Sequence, residues 1–177
     1  MDLYKFKFTV LQQEIVRFLC VKAGTSYNQR QLARALRVSP TAVSKSLPRL
    51  ARSGLVALAK DAGRLSISLN RENLSASSRK RVENLSMIFE SGLAIFLFQE
   101  FPGAAIVLFG SYARGEDTMQ SDVDIAVVGA EDKELDLERY ESLLERRIHL
   151  SAYPSLEEIH GELRMNLCNG IVLSGAL

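Results

Sequence analysis

Cysteine is scarce in this chain. Of 177 residues only Cys20 and Cys168 carry a thiol, each inside an apolar helical pattern and neither in a metal-ligand spacing. That excludes a disulfide framework and a structural zinc cluster. Long apolar runs are missing as well. The longest, 92–98 and 104–109, fall far short of the roughly 20 residues that cross a bilayer. The N-terminal Met-Asp-Leu-Tyr-Lys-Phe-Lys-Phe lacks the basic, long-apolar and small-residue segments of a signal peptide. No internal repeat or low-complexity tract is present. These absences point to a cytoplasmic protein with no membrane partner. Apolar residues, by contrast, are plentiful at 47%, which suits a globular chain and excludes a disordered one. The length suits one medium domain or two small ones.

Charge of one sign is missing from each half. Residues 1–80 hold fifteen Lys/Arg against four Asp/Glu, a balance of +11. Residues 81–177 hold seven against seventeen, a balance of −10. Such a division predicts two domains with different partners, the basic one a candidate for nucleic acid.

In the basic half, residues 9–23 carry apolar side chains at helical spacing and end at Gly24. Asn28 can cap a second short helix through Leu36, and Ser39-Pro40 opens a third with Pro at its first position. Pro48 lies inside that third helix, where it removes a backbone bond and is expected to kink or shorten it. The period then changes. Residues 55–60, a turn at 61–63 and the alternation Leu65-Ser-Ile-Ser-Leu69 read as a β-hairpin. Three short helices and a hairpin resemble a winged helix-turn-helix, most closely over 29–56. The resemblance implies DNA binding, with Thr41, Ala42, Ser44, Lys45 and Arg49 at the major groove and Lys60 and Arg64 flanking the wing. It also implies a homodimer on two half-sites. A protein-interaction module with a solvated basic face is the competing reading.

Residues 71–80 are polar and Ser-rich, and read as a linker between domains at 1–70 and 81–177. A helical pattern resumes at about Arg79 and runs to Phe98, apolar on nearly every side in its second part, until Pro102-Gly103 stops it.

The chemistry sits in residues 109–125, Phe-Gly-Ser-Tyr-Ala-Arg-Gly-Glu-Asp-Thr-Met-Gln-Ser-Asp-Val-Asp-Ile. The apolar run 104–109 reads as a buried strand. Gly110 lets the backbone approach a ligand, N–H groups at a helix start attract phosphate oxygens, Ser111 adds a hydroxyl and Arg114 a cation. Residues 122–128 read as a second strand, whose alternation puts Asp122 and Asp124 on one face. Two carboxylates suit Mg²⁺ or Mn²⁺, bound together with substrate phosphates. Singly, each residue has a plain structural reading: Ser111 as a helix cap, Arg114 as a surface ion-pair partner, the aspartates as a strand start.

Gly-Ser followed by Asp-x-Asp resembles the polymerase-β-like nucleotidyltransferases, in particular their minimal members, from about Arg81 to the C-terminus and including Gly170-Ile-Val-Leu-Ser. The resemblance implies an α+β domain with a small mixed sheet. It also implies transfer of a nucleoside monophosphate from an NTP to a protein or small hydroxyl acceptor. Gly110 and Ser111 would hold the triphosphate, Ser121 would support the turn, and Asp122 and Asp124 would bind metal. The family places a third carboxylate on a later strand. Here that strand, 147–153 after an expected helix over 134–146, carries His149 instead. An imidazole is a poor Mg²⁺ ligand but a competent general base. His149 is therefore either a catalytic base or the mark of a lost site, and Glu145 is a further candidate for the missing carboxylate. His160 reads as a surface residue on the next helix. The alternative function is a catalytically degenerate regulator or antitoxin. It would bind DNA and nucleotide, or a small helical HEPN-type protein as minimal members of the family often do, without turnover.

Overall fold

The computed structural model describes residues 7–61 and 63–177, so residues 1–6 of the N-terminal segment and Ala62 of the expected turn lie outside the described residues. The chain divides into two compact units, Met1–Lys80 and Arg81–Leu177.

The first unit begins with three helices: α1 (Val10–Val21), α2 (Gln29–Ala35) and α3 (Pro40–Arg52). Their starts are fixed by local chemistry. Thr9 with Gln12, and Asn28 with Gln31, form reciprocal capping boxes, while Ser39 accepts from the Ala42 N–H ahead of Pro40. Pro48 neither breaks nor shortens α3, which continues to Arg52. The apolar stripes of the helices meet over Ile15, Leu19, Leu32, Val43, Leu47 and Leu50. The hairpin β1 (Val56–Asp61) and β2 (Arg64–Leu69) closes this core through Ile67 and Leu69, with Leu58 opposite Ile67. Tyr27 adds a short antiparallel bridge to Ile67, which the sequence pattern did not indicate. This is a winged helix-turn-helix.

The next helix, α4, covers Leu74–Glu90. It takes in most of the stretch expected as a linker. Asn73 Oδ1 accepts the Ser75 N–H at 2.9 Å, Ala76 is fully buried, and Lys80 is buried with its Nζ donating to the Cys20 carbonyl at 3.0 Å. Tertiary burial thus orders a segment whose composition alone reads as loop. The expected single helix to Phe98 is also two. Gly92, at φ 83° in the left-handed region, separates α4 from α5 (Leu93–Glu100).

In the second unit, β3 (Ala105–Phe109) leads into the one-turn helix α6 (Gly110–Arg114). Then come β4 (Val123–Val128), α7 (Glu138–Leu144), β5 (Ile148–Tyr153), a 3-10 turn at Leu156–Glu158, α8 (Gly161–Cys168) and β6 (Ile171–Ser174). Helix α7 is shorter than expected: 131–137 is irregular, and Asp136 Oδ1 accepts the Glu138 N–H at 3.1 Å near its start. His160 precedes α8 rather than lying within it, and is exposed. The strands form one mixed sheet in the order β5-β4-β3-β6, with β4 and β5 parallel and the other pairs antiparallel. Alternation divides the sheet into two faces. Ile106, Leu108, Ile125 and Val127 pack with Ile88, Leu93 and Leu97 of α4 and α5. Ala105, Val107, Ala126 and Val128 pack with Ile159 and with Leu167 of α8. The protein is α+β, a winged helix-turn-helix followed by a small mixed sheet flanked by helices.

Candidate nucleotide and DNA sites

Strand parity puts Asp124 on the sheet face shared by Ala126 and Val128. Its register partners are Phe109 on β3 and His149 on β5. Three elements therefore converge at the N-terminal end of β4: the β3–α6 turn, β4 itself and the start of β5. Asp122 stands one residue ahead of the strand and is exposed, while Asp124 keeps 28% of its side-chain surface.

Gly110 faces the Asp124 carboxylate so closely that a Cβ there would collide with Oδ2, and its φ is 72°. Only glycine satisfies both demands. Helix α6 has no side-chain cap, its N-cap being Phe109, so Ser111 is not a helix cap. Arg114 is ion-paired with Glu116, Nε to Oε2 at 2.8 Å, on an exposed surface. Ser121 closes the turn before β4: its Oγ accepts the Thr118 N–H at 3.0 Å. His149 Nδ1 lies 3.7 Å from Asp124 Oδ1, with 70% of the histidine side chain exposed. Glu145, at the end of α7, borders a cavity of about 470 Å³ that Asp122 also lines, together with Glu138, Glu141 and Arg147.

Burial pushes the Asp124 carboxyl above its ordinary value. His149 opposes that shift, the Asp122 charge adds to it, and Arg114 weakly opposes it. Among the described residues no group of three or more His, Cys, Asp or Glu side chains could hold a metal. The donor set at Asp122 and Asp124 is nevertheless the right kind for Mg²⁺ or Mn²⁺. It offers two like-charged oxygen ligands that repel each other, beside a glycine turn free of side-chain bulk, and substrate phosphates and water complete such a shell.

One buried cluster escaped the sequence reading. Asp117 is fully buried between the Gly-Ser turn and the aspartates. Its Oδ1 accepts from Asn84 Nδ2 at 2.7 Å, and Oδ2 lies 3.6 Å from Arg146 Nη2. The same Asn84 Nδ2 donates to the Tyr112 carbonyl at 2.8 Å. No local pattern marks these residues, because they meet from three distant segments.

In the first unit, Thr41, Ser44, Lys45 and Arg49 lie exposed on α3, Lys60 and Arg64 are exposed on the hairpin, and Ala42 is half-buried. The Arg49 guanidinium also sits over the Phe8 ring at 5.7 Å.

Residues 92–168 match the family described as nucleotidyltransferase domain, which supports a general nucleotidyltransferase-type function for the second unit. No curated protein matches the chain. Among solved structures, adhesin competence repressor (AdcR) from Streptococcus pyogenes is 22% identical over 54% of this chain and 69% of that one, with a TM-score of 0.42. Reduced HlyU from Vibrio cholerae is 24% identical over 38% and 70%, with a TM-score of 0.33. A variant of Lactococcus lactis ZitR is 23% identical over 57% and 65%, with a TM-score of 0.38.

Proposed function

We propose that the second unit transfers a nucleoside monophosphate from an NTP to a protein or small hydroxyl acceptor, and that the first unit binds DNA. The observation that carries this reading is the close approach of the Gly110 backbone to the Asp124 carboxylate. It makes the phosphate-binding turn and the metal-binding aspartates one continuous surface. The Gly110 and Ser111 N–H groups and the Ser111 hydroxyl bind triphosphate oxygens, and Ser121 holds the turn that presents Asp122. Arg114 reaches the phosphates by exchanging its exposed partner Glu116, an ion pair of little net strength. Asp122 and Asp124 would hold a divalent cation, which would supply charge neutralisation on the phosphates. His149 receives the acceptor proton. With Nδ1 turned towards Asp124, Nε2 takes the proton as the acceptor oxygen bonds to the α-phosphorus and pyrophosphate leaves, and Asp124 stabilises the resulting imidazolium.

A second reading has its own observation. His149, on the strand where the resemblance implies a third carboxylate, keeps 70% of its side chain exposed. On that reading the site holds a nucleotide without turnover, and the chain is a DNA-binding regulator or an antitoxin to a HEPN-type partner. Incubating the full chain and candidate acceptors with each α-labelled NTP in Mg²⁺ or Mn²⁺ separates the two. Transfer predicts pyrophosphate release and label on the acceptor, both lost in Asp124→Asn. Regulation predicts no pyrophosphate, and DNA affinity that changes with NTP. Pyrophosphate release by wild type and Asp124→Asn alike would contradict the proposed site.

A further inference from the structure

The buried polar cluster of Asn84, Asp117 and Arg146 joins the three segments that carry the proposed site. The Asn84 amide spends its two protons on two of them: the Tyr112 carbonyl in α6, two residues after the Gly110–Ser111 turn, and Asp117 in the loop that delivers Asp122 and Asp124. Arg146 faces the other oxygen of Asp117 from the connection that leads into β5 and His149. In the same connection, the Arg147 carbonyl accepts the Val123 N–H at 2.8 Å and Glu141 Oε1 accepts the Ile148 N–H at 2.9 Å. Asp117 and Arg146 keep 0% and 1% of their side-chain surface.

A buried ion pair is weak support for stability, since well-packed apolar replacements of similar volume are often neutral or better. What the cluster does supply is a directional hydrogen bond from Asn84 and a low-dielectric charge attraction from Arg146, which together fix relative position. Leu or Met at these positions would fill the same space without linking Tyr112 to the Asp122 loop or to β5.

We propose that Asp117, held between Asn84 and Arg146, is a positioning residue. It sets the Gly110–Ser111 turn, the Asp122–Asp124 pair and His149 in register with one another. The proposal rests on the nucleotidyltransferase reading only for its functional consequence. The structural coupling stands apart from it.

The test compares the full chain with three variants: Asn84→Ala, Arg146→Lys, and Asp117→Asn combined with Arg146→Met, which removes both charges of the pair. Melting, Mn²⁺-ATP affinity and amide exchange are measured on each. The expected result is a split. The neutral double variant melts close to wild type yet binds Mn²⁺-ATP about 10–100-fold more weakly, the range seen when outer-shell partners of ligand groups are removed. Exchange at Gly115, Val123 and Ile148 accelerates together in the double variant and in Asn84→Ala. Arg146→Lys, which keeps the charge facing Asp117, retains most of the affinity. A double variant that binds and exchanges like wild type overturns the proposal. If the unmodified chain binds no nucleotide, the nucleotidyltransferase reading fails by itself. The exchange pattern then decides the positioning claim: joint acceleration upholds it, unchanged exchange ends it.

Discussion

At Gly110 a single methyl group would be unfavourable twice over. The residue sits at φ 72°, and the added Cβ would meet Asp124 Oδ2. Gly110→Ala is expected to lose about 1–3 kcal/mol of stability from the left-handed backbone alone. It is also expected to displace the carboxylate, so urea titration and nucleotide binding should both report the change. Asp124 makes a prediction of opposite sign. Its folded-state carboxyl titrates above the ordinary value, chiefly through burial. In the window between the ordinary and the raised value the folded state holds more protons than the unfolded one, so this group's contribution falls as pH rises through that window. In chelator, Asp124→Asn should therefore melt at a slightly higher temperature than wild type near neutrality. The advantage should shrink as pH falls towards the ordinary carboxyl range. A melting gain that grows on acidification would contradict that assignment. Gly110, Ser111, Asp122, Asp124 and His149 were legible in the sequence because they lie in two short motifs on adjacent strands and a third strand with clear alternation. Asn84, Asp117 and Arg146 were not, because a buried polar cluster formed from distant segments leaves no period or spacing to read.

At the scale of elements, legibility followed local chemistry. Helices α2 and α3 announce themselves through Asn28 and Ser39 at their caps, and α1 through its apolar spacing and the Gly24 that follows it. Helix α4 does not: its first turns are a Ser-rich run, ordered by Asn73 at the start and by the burial of Ala76 and Lys80. Asn73→Ala should accordingly cost about 1 kcal/mol, as the loss of an N-terminal cap does, and fray the first turn of α4 in amide exchange. The break at Gly92 was hidden because the apolar pattern continues on both sides of it. Strand β6 was hidden because it is four residues long and lies at the sheet edge. Helix α3 carries a prediction of its own. Thr41, Ser44 and Lys45 project from its exposed side, and the inner stripe of Val43, Leu47 and Leu50 fixes that orientation. If α3 is the reading helix, Lys45→Ala should weaken DNA binding and lower the slope of log affinity against log salt by about 1 for a phosphate contact. An unchanged slope with unchanged affinity would place Lys45 outside the interface.

For the whole molecule, the charge division is the organising fact. A unit of +11 carries the winged helix-turn-helix, and a unit of −10 carries the aspartate site. Anionic DNA is favoured at the first and repelled by the second, whereas a nucleotide can approach the second only where its acidic groups are offset by a cation. Nucleotide binding at the aspartate site is thus expected to depend on a metal from electrostatics as well as from ligand chemistry. Titrating ATP and GTP into the full chain by calorimetry, with Mg²⁺, with Mn²⁺ and with chelator, tests that claim most directly when wild type is set beside Asp122→Asn/Asp124→Asn. Saturable binding that requires both the metal and the two aspartates is expected. His149→Asp then asks whether one side chain separates binding from efficient transfer. Absence of binding under either metal, or equal binding by the double asparagine variant, would contradict that claim and leave the proposed DNA contact of the first unit as the remaining function to test.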